Sequence, residues 1–353
     1  MIPMALPFVD VSPFLTKGSP PSDAKRASAK ALFDACHDVG FFYLRGHGVP
    51  KEQCDQVLET VHRWMLTTPD VEKTAIARQD AGVGSGDGAR GYQRVGENVT
   101  LGKSAIDLYA THPESPASPP YKPLHGRNLW PNEKFESVFT AYIDKVLLLG
   151  AALMRCMATA FDLPEDYFDS YISPSFWVCR AIGYPPLTPA AMERNPGGVS
   201  CGAHSDYGCW TFLLADDTKG ALKVKSKDGD SWIDADPIEG AYVVNVGDML
   251  MQWTNGLFKS TVHQGTLENH NLADEEGETP ACDAKYHIAH DATPDKRVSV
   301  PVFFEPAWDA EISPLETCVQ KTGGEALYGS VRYGEYLLGK VSTNFYAAPR
   351  SAD

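Results

Sequence analysis

His204 and Asp206 stand two residues apart with Ser205 between them, and a further imidazole, His263, follows downstream. On an extended chain, positions i and i+2 point the same way, so this imidazole and carboxylate could grip one metal ion. The pair alone says little. With ten histidines and 46 acidic residues, about one His-x-Asp/Glu pair arises by chance. A second pair, His112-Pro113-Glu114, lies in a proline-rich stretch, where a solvated loop pair is expected. Two imidazoles and one carboxylate on one face of an octahedron leave three positions open, an arrangement suited to non-haem iron(II). A closed structural zinc site would want a fourth protein ligand. Taken singly, His263 reads more simply as a core histidine with its hydrogen bonds satisfied.

Arg297 and Ser299 repeat the two-residue spacing at the start of the apolar run Val298–Phe304. A guanidinium can bind a carboxylate through two parallel hydrogen bonds, and a hydroxyl on the same strand face adds a donor. An exposed arginine on an edge strand is the plainer alternative, and the apolar run favours burial. The glycine-rich stretch from Gly82 to Gly91 has no following Lys-Ser/Thr and no clear strand-to-helix setting, so a flexible surface loop is expected rather than a phosphate cradle.

These residues need elements to position them. Pro7 to Val11 reads as a short strand. Ser22 to Val39 reads as a helix, with Ser22 as its cap and Gly40 as its stop. Phe41 to Leu44 is a buried strand, and Lys51 to Leu66 an amphipathic helix. Pro113 to Pro123 is an irregular connection, and Asn132 to Phe161 carries a helical apolar stripe. After Pro174, short apolar runs alternate with turn residues: Thr211–Leu214, Leu222–Val224, Tyr242–Val246 and Val298–Phe304. That spacing predicts a sandwich or barrel. A helical and mixed region over 1–170 then packs on a β-rich region over 171–353 as one compact unit. A polar, acidic loop is inserted at 268–295.

The chain has 353 residues and a net charge of −15, which disfavours nucleic acid and anionic membrane surfaces as partners. A local basic pocket can still take a small acid. No run of about 18 apolar residues is apparent, and no basic segment followed by an apolar core opens the sequence. Eight cysteines without a Cys-x-x-Cys pair suit reduced thiols. The expectation is a cytoplasmic monomer acting on a small molecule.

The order of residues around His204 is specific. Asp206-Tyr207-Gly208 leads to Trp210-Thr211-Phe212-Leu213-Leu214, then Gly220-Ala221-Leu222-Lys223-Val224, Asn245-Val246-Gly247-Asp248, Asn255-Gly256 and Lys259-Ser260-Thr261-Val262-His263. With Gly40-Phe41-Phe42-Tyr43, Gly46-His47-Gly48-Val49, Gly91-Tyr92, Asn128-Leu129-Trp130-Pro131 and Arg297-x-Ser299, this order resembles the 2-oxoglutarate/iron(II)-dependent dioxygenases, isopenicillin N synthase-like branch. The resemblance covers most of the chain. It implies a mainly β fold with α: a double-stranded β-helix (jelly-roll) core with N-terminal and flanking helices. It implies iron(II) held by His204, Asp206 and His263. It also implies 2-oxoglutarate as co-substrate, its far carboxylate held by Arg297, Ser299 and Tyr184, although Tyr184 reads equally well as a packed aromatic before a proline turn. The implied reaction uses dioxygen to hydroxylate or desaturate a small organic substrate, releasing succinate and carbon dioxide.

Three features depart from the pattern. The connection from His263 to Arg297 is longer than the family's, and it contains His270, His287 and His290, for which solvated loop histidines are expected. Such an insert could cover the active site. Position 264 is Gln where relatives often have Arg, and Ile182 stands where many have Asn. Two other readings stay open: an iron(II) oxidase of the isopenicillin N synthase type that does not use 2-oxoglutarate, and a non-catalytic binding protein on this fold. Phe212, Phe303 and Trp253 could line a substrate pocket, though each would more often be core.

Overall fold

The structure is a computed structural model that describes residues 5–80, 84, 86–93, 103–112, 114–184, 198–266 and 297–345. β1 (Phe8–Asp10) precedes α1 (Asp23–Asp38), whose cap is Ser22; the Ser22 hydroxyl accepts from Lys25 N at 3.2 Å. Gly40 ends the helix at φ +76°, a conformation that favours glycine. A Cβ there would also meet Lys259 O and Thr261 Oγ1, so the helix stop is held against the segment leading into His263. β2 (Phe41–Arg45) follows at once, then α2 (Lys51–Thr67) and α3 (Asp70–Ala75). β3 (Gly91–Gln93) and β4 (Ser104–Tyr109) lead to α4 (Glu133–Ala160). Asn132 caps α4 by accepting from Phe135 N at 2.9 Å.

The remaining strands are β5 (Val178–Tyr184), β6 (Val199–His204), β7 (Trp210–Ala215), β8 (Leu222–Lys225), β9 (Trp232–Asp234) and β10 (Tyr242–Val246). After α5 (Asp248–Trp253) come β11 (His263–Thr266), β12 (Arg297–Phe304), β13 (Glu311–Ile312), α6 (Glu316–Lys321), β14 (Val331–Arg332) and α7 (Tyr333–Phe345). Eight strands form one sheet in the order β1-β2-β10-β7-β12-β5-β4-β3, and four form a second, β6-β11-β8-β9. The two face each other as an open jelly roll and do not close into a barrel. Residues before 170 supply β1 to β4 of the large sheet, so strands from both halves of the chain share one surface.

Strand alternation divides the large sheet. Its outer face (Phe42, Leu44, Ile106, Leu108, Cys179, Phe212, Val244, Val300, Val302) packs with α1, α2 and α4 into the main core. Phe135, Phe139, Tyr142, Val146, Leu149 and Leu153 form the buried stripe of α4. That helix is long and apolar enough by composition to cross a membrane, and its burial beneath the sheet accounts for this. Phe212 and Trp253 both lie in this core; Phe303 is half-buried against it, at a strand position that alternation places on the inner face with Ser299. On the inner face Phe41, Tyr43, Val243 and Leu213 meet Val224, Leu222 and Ile233 of the small sheet.

Two expectations fail here. Gly84 is exposed, but the rest of the described glycine-rich stretch is not a surface loop: residues 86–90 are buried, and Asp87 and Arg90 form an ion pair with side chains 3% and 1% exposed. His112 is not a solvated loop residue either. It is 6% exposed and meets His125 in a tilted ring contact, centroids 4.2 Å apart, with Trp308 edge-on to both. Apolar neighbours distant in sequence buried both segments, which local polarity could not reveal. The insert at 268–295, with His270, His287 and His290, lies outside the described residues.

Candidate active site

His204 ends β6 and His263 opens β11, and the two are in register across that antiparallel pair. Asp206 sits in the turn between β6 and β7. One ligand atom from each of His204, Asp206 and His263 lies within 4.8 Å of the others. Each imidazole Nε2 is 3.7 Å from the same Asp206 Oδ1. That is too long for a hydrogen bond and suits donors converging on shared space.

The surroundings fix which atoms face inward. His204 Nδ1 is 2.7 Å from Gly202 O, and His263 Nδ1 is 3.1 Å from Thr261 O. A carbonyl only accepts, so each Nδ1 carries a proton and Nε2 is the nitrogen left to face Asp206. Phe41 packs edge-on against His263 at 5.2 Å. Burial keeps His263 below the ordinary imidazole range, although the Asp206 charge opposes this. Asp206 Oδ2 accepts from Thr211 Oγ1 at 2.6 Å and from Asn245 Nδ2 at 2.7 Å. Burial works against the Asp206 charge, but His263, His204 and these two donors outweigh it and hold the carboxyl below its usual range. One carboxylate oxygen is thus spent on the protein, and the other is aimed at the histidines.

The turn carrying Asp206 is clamped from behind. Asp248 N donates to Asp206 O at 2.7 Å, while the Asp248 carboxylate accepts from Ser260 Oγ at 2.7 Å and from Lys340 Nζ at 3.2 Å. Gly208 is required because a Cβ there would overlap the Glu305 carboxyl. Burial, with the Asp206 charge adding to it, pushes Glu305 up to about 8, so it is a neutral acid at pH 7.

A second group lies on the same inner face. Arg297 pairs with Tyr184, and Ser299 with Ile182, across β12 and β5. Tyr184 Oη and Ser299 Oγ are 3.3 Å apart, and the Arg297 guanidinium lies 4.5 Å over the Tyr184 ring. Arg297 is buried, yet its Nε and Nη1 have no hydrogen-bond partner among the described residues. Leaving charged donors unpaired inside a protein costs free energy that a bound carboxylate would recover. Ser299 is also paired with Ala215 of β7, the strand whose Thr211 holds Asp206, so the two groups share one wall.

Comparison with known proteins agrees with this geometry. A model described as the 2OG-Fe(II) oxygenase superfamily matches residues 178–306, and one described as non-haem dioxygenase in morphine synthesis N-terminal matches residues 6–133. The homoarginine-6-hydroxylase 2-ODD-233 of Oryza sativa subsp. japonica is 37% identical, over 97% of this chain and 98% of its own. The chain belongs to the 2-oxoglutarate/iron(II)-dependent oxygenase superfamily. The homoarginine-6-hydroxylase 2-ODD-C23 of Glycine max is 34% identical, over 97% of each chain. Among solved structures, a full-length Neurospora crassa protein in complex with alpha-KG superposes with a TM-score of 0.74 at 27% identity, covering 97% of each chain. This oxygenase is therefore an oxidoreductase that uses iron(II), 2-oxoglutarate and dioxygen. Of the readings the sequence left open, the one with 2-oxoglutarate is favoured.

All six expected site residues lie on the inner face or at its rim, in two groups: His204, Asp206 and His263; Tyr184, Arg297 and Ser299. Sequence reasoning missed Thr211 and Asn245, which hold Asp206. Their signal was a polar residue at an inward position of an apolar strand, as in Tyr242-Val243-Val244-Asn245-Val246.

Proposed function

We propose that His204, Asp206 and His263 hold the iron(II), and that Arg297, Ser299 and Tyr184 receive the far carboxylate of 2-oxoglutarate. The observation that carries this is the pairing, on the same wall, of a convergent three-donor cluster with a buried arginine whose Nε and Nη1 lack partners among the described residues. When bound, the metal and keto acid supply oxidising power from dioxygen, with succinate and carbon dioxide released. The chain's own contribution is placement. Gly202 O and Thr261 O fix the imidazole tautomers, Thr211 and Asn245 turn one Asp206 oxygen inward, and Ile182 and Tyr184 keep the keto-acid pocket partly apolar. A dry wall around the charged groups strengthens each of these contacts.

For the substrate we propose a small amino acid of the homoarginine kind, hydroxylated on its side chain. The near full-length similarity to homoarginine-6-hydroxylases supports this. A reducing cytoplasmic setting is proposed as well, supported by seven free cysteines among the described residues. The test is a two-step titration. Iron(II) is added without oxygen, then 2-oxoglutarate, and the visible metal-to-ligand charge-transfer band is recorded. Oxygen and L-homoarginine follow, with succinate and hydroxylated product measured. A missing band would overturn the metal and keto-acid assignment; a band without substrate-dependent product would overturn the choice of substrate.

A further inference from the structure

One more ionic group faces the same space. β5 presents Arg180, Ile182 and Tyr184 on a single face, because alternate side chains share a face. Ile182 and Tyr184 pair with Ser299 and Arg297, so Arg180 belongs to the inner wall too. Across β4, Asp107 is in register with Arg180, and Ala105 with Ile182; on β3, Gln93 is opposite Ala105. Arg180 Nε donates to Asp107 Oδ1 at 2.6 Å, and Nη2 to Oδ2 at 3.3 Å. Gln93 Nε2 donates to the same Oδ2. Asp107 is thereby consumed, its side chain 2% exposed, whereas Arg180 keeps 23%. No described residue takes the third guanidinium nitrogen, Nη1.

The position of this pair is informative. Register on both sides of Pro301 places Arg180 opposite it, and Pro301 is opposite Leu213 of β7. The adjacent row contains Phe303 and Thr211, and Thr211 touches Asp206. Arg180 therefore lies between the row at the three-donor cluster and the row of Ser299, two strands from β7. That is about 10 Å across the sheet, a span that a small extended amino acid covers. A buried ion pair adds little stability in itself. The outer face of the same strands is filled by Ile106, Leu108, Cys179 and Ala181. Lys103, just before β4 and 8% exposed, lies beside Cys201 of β6. Its ammonium is hydrogen-bonded to the Cys201 thiol, which leaves the outward edge of Arg180, with Asp107 spent, as the cationic group offered to the cavity.

We propose that Arg180, oriented by Asp107 and Gln93, anchors a carboxylate of the substrate at the end remote from the oxidised carbon. A guanidinium edge presents only donors in a plane, and a carboxylate matches it. This rests on the oxygenase reading above and deepens it. Arg297 is the anchor for the co-substrate, and Arg180 the anchor for the substrate.

The test compares carboxylic acids with their own carboxamides and decarboxylated amines: L-homoarginine, L-arginine, L-lysine, L-leucine and L-phenylalanine. Succinate release above the substrate-free rate is read for the wild type, Arg180→Gln, Arg180→Lys and Asp107→Asn. At least one acid should stimulate turnover while its amide and amine do not. Arg180→Gln should raise KM for that acid about 10- to 150-fold, with a smaller change in kcat. It should leave the anaerobic charge-transfer band and the KM for 2-oxoglutarate unchanged. Arg180→Lys should recover part of the loss, and Asp107→Asn should weaken acid binding without abolishing the band. The proposal is overturned if amides serve as well as acids, if Arg180→Gln leaves the KM for the acid unaltered, or if it loses the band. If no acid stimulates turnover while 2-oxoglutarate is still consumed, the anchor fails and the oxygenase reading stands. If the wild type shows neither band nor turnover, the oxygenase reading itself fails.

Discussion

His204 and His263 are cross-strand partners: their Cα positions are in register on β6 and β11, and their rings lie 4.4 Å apart. A metal ion held by both therefore ties two strands of the small sheet together and, through Asp206, ties them to the turn into the large sheet. Iron(II) should raise the melting temperature, because a ligand that binds only the folded state stabilises it by about 2.7 kcal/mol at a hundredfold excess over Kd. Chelation should reverse the rise. Asp206→Ala should show neither shift nor charge-transfer band; an undiminished shift in this variant would place the ion elsewhere.

Asn245→Ala removes one of the two donors that turn Asp206. Outer-shell partners of this kind are worth about 10- to 100-fold in metal affinity. Anaerobic iron(II) titration should show that loss, with far-ultraviolet circular dichroism unchanged. A Kd equal to the wild type would mean that Thr211 alone orients the carboxylate.

Much of this was legible in the chain, and what was not has a physical reason. The helix cap at Ser22, the stop at Gly40 and the strand Tyr242–Val246 were readable because capping chemistry and apolar runs are local. His204, Asp206 and His263 were readable only jointly, through the order of residues around them. Arg180 and Asp107 were each visible as a charge inside an apolar run, Val178-Cys179-Arg180-Ala181-Ile182 and Ala105-Ile106-Asp107-Leu108-Tyr109. Their partnership depends on β4–β5 register, which no local pattern specifies. The same limit explains Asp87 and His112, whose burial comes from chain that is remote in sequence.

Arg297→Gln should raise the KM for 2-oxoglutarate by about 10- to 150-fold, the worth of hydrogen bonds to a charged partner. Tyr184→Phe removes only the hydroxyl beside Ser299 and should cost about tenfold or less. Steady-state succinate kinetics separate the two. Equal effects would show that the tyrosine hydroxyl matters as much as the guanidinium.

Glu305 gives stability a pH dependence of definite sign. Its folded-state value of about 8 lies above the ordinary 4.5. Between these, the unfolded chain has lost the proton while the folded chain keeps it, so stability falls as pH rises. Above about 8 both states are ionised and the loss is complete. Glu305→Gln cannot ionise. Wild-type minus variant melting temperature should therefore decrease from pH 5 to pH 8 and then level off. A flat difference would show that Glu305 is charged in the folded state.

The order β1-β2-β10-β7-β12 carries a consequence for biosynthesis. β2, made early at residues 41–45, has β10, at residues 242–246, as its antiparallel neighbour, and β12 at 297–304 completes the middle of the sheet. On the ribosome the first strands emerge long before their partners exist. A nascent chain must carry unpaired strand edges through most of its translation, and non-local pairing of this kind folds slowly. The arrangement that gathers both charged groups onto one wall also makes the last third of the chain decisive for folding, and leaves every shorter nascent fragment exposed to misassociation.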